Sequence, residues 1–300
     1  MKPYLIHHHD LDGYSAGAIA KLAYPEAECR SMNYDDPSTF PGPAFFADYD
    51  PVIVVDYSLP PETMLWLKEN RHFLWIDHHS SATIRSRERG YADAEGLRCE
   101  PGVQICGAEL AWQYFQKKPI PRFLKLVGDF DTFRNSKTPQ FRQEVLPFYY
   151  ATQICFDQMK PGNAAQEDYL FKTAEAFQDD ALCEKLIQQG TLIQKFNLNY
   201  YKGILKESAF VRNLWGLRVL CFNNAGHGSA DMQQAFDPAQ HDAMLLFSYN
   251  GRKWCYGLYS DLELKPDVNC AAIALSYGGG GHKAAAGFST EQLLPELVSC

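Results

Sequence analysis

The chain has 300 residues, of which 46% are hydrophobic and 21% charged, enough for a globular protein of two ordinary domains. Its formal charge of −8 argues against gripping long duplexes, because that binding draws on clustered cations and counterion release. The nine cysteines form no C-x-x-C pair, which excludes zinc-ribbon and thioredoxin-like motifs, and the absence of a secretory leader or an apolar run near ~20 residues makes a soluble cytoplasmic protein the expectation.

Taken in chain order, the first apolar run is Pro3-Tyr4-Leu5-Ile6, which leads into three histidines and Asp10-Leu11-Asp12-Gly13. Residues 14–24 follow at helical spacing. Val52-Ile53-Val54-Val55 ends in Asp56, and Phe73-Leu74-Trp75-Ile76 ends in Asp77-His78-His79. Short apolar runs with little alternation read as strands buried on both faces, the habit of parallel sheets. Between them, Ser58 is expected to N-cap a helix opened by Pro60-Pro61. Helices are also expected over 107–115 and 121–127, the second ending near Gly128-Asp129-Phe130-Asp131. Strand–helix alternation implies βαβ units.

From 163 to about 201 the pattern is helical. Beyond it, 217–222, 243–249 and 253–259 read as strands, the last two joined by Asn250-Gly251, a strong hairpin signal. An apolar helix over 268–277 precedes Gly278-Gly279-Gly280-Gly281-His282-Lys283. The fold class is therefore α/β: a parallel-sheet catalytic domain (1–185), a helical connector (186–200) and a smaller mixed α/β domain (201–300), with a cleft between the domains.

In open α/β sheets, ligands bind beyond the carboxyl ends of the strands. Three strands that deliver Asp and His there, without thiolates, suit manganese, iron or another hard-to-borderline divalent ion. On an extended backbone, His8, Asp10 and Asp12 share a face. Asp10 and Asp12 would serve two neighbouring ions, Asp56 would bridge them, and His78 and Asp129 would complete the set. A metal pair of this kind clamps the attacking and leaving oxygens of a displacement.

These residues carry a resemblance. HHHDLDG at 7–13, Asp56 after Val-Val, Asp77-His78-His79, Gly128-Asp129-Phe130-Asp131 and GGGGHKAAAGF at 278–288 resemble, in order, the motifs of DHH-family phosphoesterases with a C-terminal DHHA1 domain. That group includes RecJ-type exonucleases and enzymes that degrade short RNA. The resemblance implies hydrolysis of phosphoester or phosphoanhydride bonds with two Mn2+ ions, Mg2+ or Co2+ being substitutes. One ion would be held by His8, Asp10 and Asp56, the other by Asp12, Asp56, His78 and Asp129, with Asp131 as the alternative to Asp129. His79 would lie near the scissile phosphate and Asp77 would orient the site. Gly280, Gly281, His282 and Lys283 would bind substrate, and Phe288 suits base stacking.

The expected activity is degradation of short single-stranded oligonucleotides to mononucleotides. A pAp-type nucleotide phosphatase, or a pyrophosphatase or exopolyphosphatase, is the alternative. A nucleotide-binding regulatory module is the non-hydrolase alternative, and loss of metal ligands would be its mark. The expected partner is a short oligonucleotide or other small phosphorylated substrate; a membrane is not expected, and oligomeric state is left open. Gly13-Tyr14-Ser15-Ala16-Gly17 also matches the nucleophile-elbow pattern of α/β-hydrolases, but only twelve residues precede it, too few for the strands that elbow requires.

Overall fold

The computed structural model describes the chain except for residues 35–39, 156–173, 175–176, 224–234, 262–263 and 299–300. It divides into two compact units, Met1–Gln194 and Lys195–Cys300.

The first unit is built on four parallel strands: β1 (Lys2–His8), β2 (Glu28–Met32), β3 (Tyr49–Val55) and β4 (Phe73–Ile76), in the order β2-β1-β3-β4. Both faces are covered, which explains the continuous apolar runs. Leu5, Ile53, Val55, Leu74 and Ile76 point into one core, shared with α1 (Leu11–Ala23), α4 (Gly107–Phe115), α5 (Arg122–Asp131) and α6 (Leu146–Cys155). Tyr4, Ile6, Val52, Val54, Phe73 and Trp75 point into the other, where α2 (Pro61–Asn70) contributes Met64 and Leu67. The chain passes from β4 into α3 (Ser80–Arg89) through the three residues 77–79.

Two local expectations are corrected. Ser58 does not cap α2. Pro60 occupies the N-cap position without a side-chain cap, while the Ser58 hydroxyl donates to Asp77 Oδ2 at 2.7 Å. Helix α5, expected over 121–127 and ending near Gly128-Asp129-Phe130-Asp131, continues through that motif to Asp131, with consequences for the site.

A long helix, α7 (Asp180–Ser208), carries the division between the units; part of the helical stretch expected from residue 163 lies outside the described residues. The second unit is a six-stranded mixed sheet of β5 (Phe210–Leu214), β6 (Leu217–Asn223), β7 (Ala243–Tyr249), β8 (Trp254–Tyr259), β9 (Gly280–Gly281) and β10 (Ala285–Thr290), in the order β5-β6-β7-β8-β10-β9. β6 and β7 are parallel and the other pairs antiparallel. Gly251, with φ of 91°, supplies the left-handed residue that the β7–β8 turn needs. Helix α8 (Cys270–Ser276) covers one face with Cys270 and Ala274 buried. The architecture is thus the expected α/β class, a parallel sheet followed by a separate mixed sheet. Among the described residues, no helix is long and apolar enough to cross a membrane.

Candidate metal centre

The carboxyl ends of β1, β3 and β4 converge. His8 ends β1 and its Nδ1 lies 2.8 Å from Asp10 Oδ2 and 3.9 Å from Asp56 Oδ2. His78 follows β4, and its Nε2 lies 3.3 Å from Asp56 Oδ1, 3.5 Å from Asp131 Oδ2 and 3.7 Å from Asp12 Oδ2. Asp56 therefore stands between two imidazoles. The donor atoms of His8, Asp10 and Asp56 fall within 4.8 Å of one another, as do those of Asp12, His78 and Asp131, and of Asp56, His78 and His79.

Local geometry places each group. Asp10 is the extended N-cap of α1, and its Oδ1 accepts the Gly13 N–H at 2.8 Å, leaving Oδ2 for the site. Asp12 is not on the extended segment that sequence spacing implied; it lies in the first turn of α1. Its two oxygens accept the Gly107 and Ala108 N–H groups, each at 2.7 Å, from the N-terminus of α4. Gly107 also lets Asp56 pack against this helix end, since a Cβ there would lie 2.5 Å from Asp56 Cβ and 2.6 Å from its Oδ1. Asp56 has φ of 52°, a left-handed conformation that Asp and Asn tolerate better than most residues.

Asp131, and not Asp129, joins the group. Both lie on α5, where two residues are about 200° apart around the axis, so only one can face the site. Asp129 Oδ1 instead accepts from Arg134 Nε at 2.6 Å. Arg134 also donates to the buried Glu109 at 3.0 and 3.1 Å, and Glu109 accepts the Cys106 N–H at the start of α4. This network ties α5 to the helix end that holds Asp12. Sequence reasoning missed Glu109 and Arg134; the spacing of Cys106 and Glu109, N-cap and third helical residue, is the signal that pointed to a capped helix start.

His79 Nδ1 donates to Asp77 Oδ1 at 2.7 Å, and Asp77 also accepts the His79 N–H and the Ser58 hydroxyl. Burial works to raise the Asp77 pKa, but the His79 charge and these hydrogen bonds bring it down to about 2. His79 is pushed up to about 9, burial being outweighed by Asp77. His8 also rises to about 9, because Asp10 and Asp56 overcome the cost of burial.

Asp56 and Asp131 move the opposite way from ordinary paired carboxylates. Burial, reinforced by Asp12 and Asp10, raises Asp56 well above its usual range; burial and Asp12 lift Asp131 to about 7. Asp56 is 1% exposed and neither carboxylate oxygen has a hydrogen-bond partner. His8 Nδ1 is likewise buried with no aligned hydrogen bond. Buried polar atoms left unpaired in this way are costly. A divalent cation between these oxygen and imidazole donors answers every one of them, so the residues fit such a group.

The glycine segment has a different local account. Gly280–Gly281 is the outermost strand, paired with Ala286 and Gly287. Gly281 has φ of 137°, and a Cβ there would lie 2.6 Å from Ala285 O, so packing alone requires glycine; a Cβ on Gly280 meets nothing within 4 Å. His282 and Lys283 are exposed beside it. Phe288 is no platform for a base: it is 6% exposed and stacked between Tyr256 and Tyr277 at 4.7 and 4.5 Å. Ser15 is fully buried in α1, its hydroxyl donating to Leu11 O at 2.7 Å, which removes it as a nucleophile.

A four-stranded parallel sheet followed by a mixed-sheet unit is an architecture this chain shares with solved phosphoesterase structures. Among solved structures, a pGpG-specific phosphodiesterase, PggH, from Vibrio cholerae aligns with a TM-score of 0.52 and 12% identity, over 97% of this chain and 93% of that one. An exopolyphosphatase-related protein from Bacteroides fragilis aligns with a TM-score of 0.51 and 11% identity, over 99% and 88%. At these identities the likeness is one of fold. No family model matches the sequence. A curated relative, an uncharacterised protein of Acanthamoeba polyphaga mimivirus, is 24% identical over 248 residues, 79% of this chain and 52% of the relative; the chain spans about half that relative's length.

Proposed function

We propose that the protein is a divalent-metal-dependent phosphohydrolase and, within that class, a phosphodiesterase that degrades short single-stranded oligonucleotides to mononucleotides. The observation that carries the reading is Asp56: a buried carboxylate with both oxygens unpaired, set between His8 and His78. Two manganese ions would suit these donors: His8, Asp10 and Asp56 would hold one, and Asp12, Asp56, His78 and Asp131 the other. Such ions supply an ionised water near neutral pH and offset charge on the phosphate oxygens.

The chain's own residues set the geometry. The α4 amides fix Asp12 so that its carboxylate cannot rotate, and Asp10 is fixed by capping α1. Asp77 holds His79 by Nδ1, which leaves Nε2 as the nitrogen that could meet a phosphate oxygen. Gly280, Gly281, His282 and Lys283 are proposed to bind substrate. The net charge of −8 favours a short substrate over a long polymer.

The test is a side-by-side assay with manganese on a dinucleotide, a longer oligomer, pAp and polyphosphate. Mononucleotide release from the dinucleotide is the expected result. Phosphate released from polyphosphate alone would overturn the nucleic-acid reading, and no turnover of any of the four would leave a non-hydrolytic module.

A further inference from the structure

We propose that Tyr34 is the platform on which the nucleobase beside the scissile phosphate stacks, an inference that rests on the oligonucleotide reading above. An exposed tyrosine is ordinary in itself. This one is distinguished by where its ring is held. Its centroid lies 5.5 Å from that of His8 and 6.3 Å from that of His79, so it borders the residues grouped around Asp56. One face rests on the fully buried Tyr57, with centroids 4.5 Å apart and planes inclined by 22°. The residue is nevertheless 42% exposed.

The ring is also tethered. Its hydroxyl accepts the Ser58 N–H at 3.0 Å, Ser58 Oγ donates to Asp77 Oδ2 at 2.7 Å, and Asp77 Oδ1 accepts from His79 Nδ1 at 2.7 Å. A relay of three hydrogen bonds thus links the Tyr34 hydroxyl to His79, and the Tyr57 ring backs the aromatic plane. A ring fixed before binding loses little freedom when a ligand lands on it. Any nucleobase presents a π-face to such a surface, whatever its sequence identity. An inorganic polyphosphate has no such face, and the negative quadrupole of a tyrosine face offers an anion nothing. Tyr34 would therefore select for a base attached to the phosphate.

The test compares wild type, Tyr34→Phe and Tyr34→Leu on a dinucleotide with manganese, alongside the manganese affinity of each protein by calorimetry. Base–aromatic stacking corresponds to a roughly 10- to 100-fold effect. Tyr34→Leu should raise the dinucleotide KM by that factor with kcat within a few-fold, since binding of this kind is uniform along the reaction. Tyr34→Phe keeps the face but loses the hydroxyl that accepts the Ser58 N–H, so its KM should fall between those of wild type and Tyr34→Leu, and all three should bind manganese alike. A wild-type KM in Tyr34→Leu would overturn the platform while leaving the oligonucleotide reading standing. Loss of manganese binding in Tyr34→Leu would also overturn it, by making the residue a scaffold of the metal centre. Wild type that turns over polyphosphate but no dinucleotide would overturn the parent reading and the platform with it.

Discussion

Replacing Asp56 by asparagine should move two quantities in opposite directions. Asparagine keeps the size of the side chain and tolerates the left-handed backbone at φ of 52°, so the substitution removes a charge and little else. At roughly 4 Å and an effective dielectric near 20, two unit charges interact by about 4 kcal/mol, and a divalent ion by up to about twice that. Allowing half for solvent on the open side leaves about 4 kcal/mol, a weakening of manganese binding of roughly a thousandfold. Without metal the sign reverses. Burial, Asp12 and Asp10 already raise the Asp56 pKa, so ionising it works against the fold, and Asp56→Asn should stabilise the metal-free protein by about 1–3 kcal/mol. Calorimetric titration with manganese measures the first effect and urea unfolding in chelator the second. Wild-type manganese affinity, or a metal-free variant less stable than wild type, would refute the reasoning.

Asp131→Asn should reduce the number of tightly bound ions measured by metal analysis, whereas Asp129→Asn should leave it unchanged and cost about 1–2 kcal/mol of stability through the loosened Arg134; the reverse pattern would reassign the ligand. His7 is fully buried, and burial lowers its pKa to about 4 against about 6.5 in the unfolded chain. The unfolded state then takes up a proton that the folded state refuses. Its contribution is intact above pH 6.5 and is lost as pH falls towards 4, by up to about 3 kcal/mol. Urea unfolding of His7→Gln in chelator should show a correspondingly flatter slope across that window, and a slope equal to wild type would count against it. Gly280→Ala meets no neighbour, so its melting temperature should stay at the wild-type value. Any role of that strand in substrate binding should then appear as a raised dinucleotide KM, and an unchanged KM would reduce it to a sheet edge.

The parallel sheet was legible because β1, β3 and β4 are buried on both faces and their sequences carry uninterrupted apolar runs. β2 was not: Glu28 to Met32 is an edge strand of mixed polarity with no period to read. The residues around Asp56 could be read as strand-end clusters, since His8, Asp10, Asp56 and His78 each lie within four residues of the end of an apolar run. Choosing between Asp129 and Asp131 depended on the phase of α5 at its last turn, and helix ends are where sequence patterns are weakest. The role of Ser58 was hidden for another reason. Its position before two prolines suggested a cap, yet the hydroxyl answers a buried carboxylate that arrives nineteen residues later. Contacts of that kind leave no local periodicity.

The two amides that hold Asp12 come from residues 95 and 96 positions further along the chain. What the centre requires of the intervening polypeptide is closure, not continuity, and the entropic cost of closing a loop rises only slowly with its length. The turn at residues 100–103 is exposed throughout. Two co-expressed fragments divided there would keep Gly107 and Ala108 against Asp12, the second fragment beginning only a few residues before them. The amide clasp would then arrive on a different polypeptide from the β1 and β3 ligands, so the centre could be assembled by association without being altered.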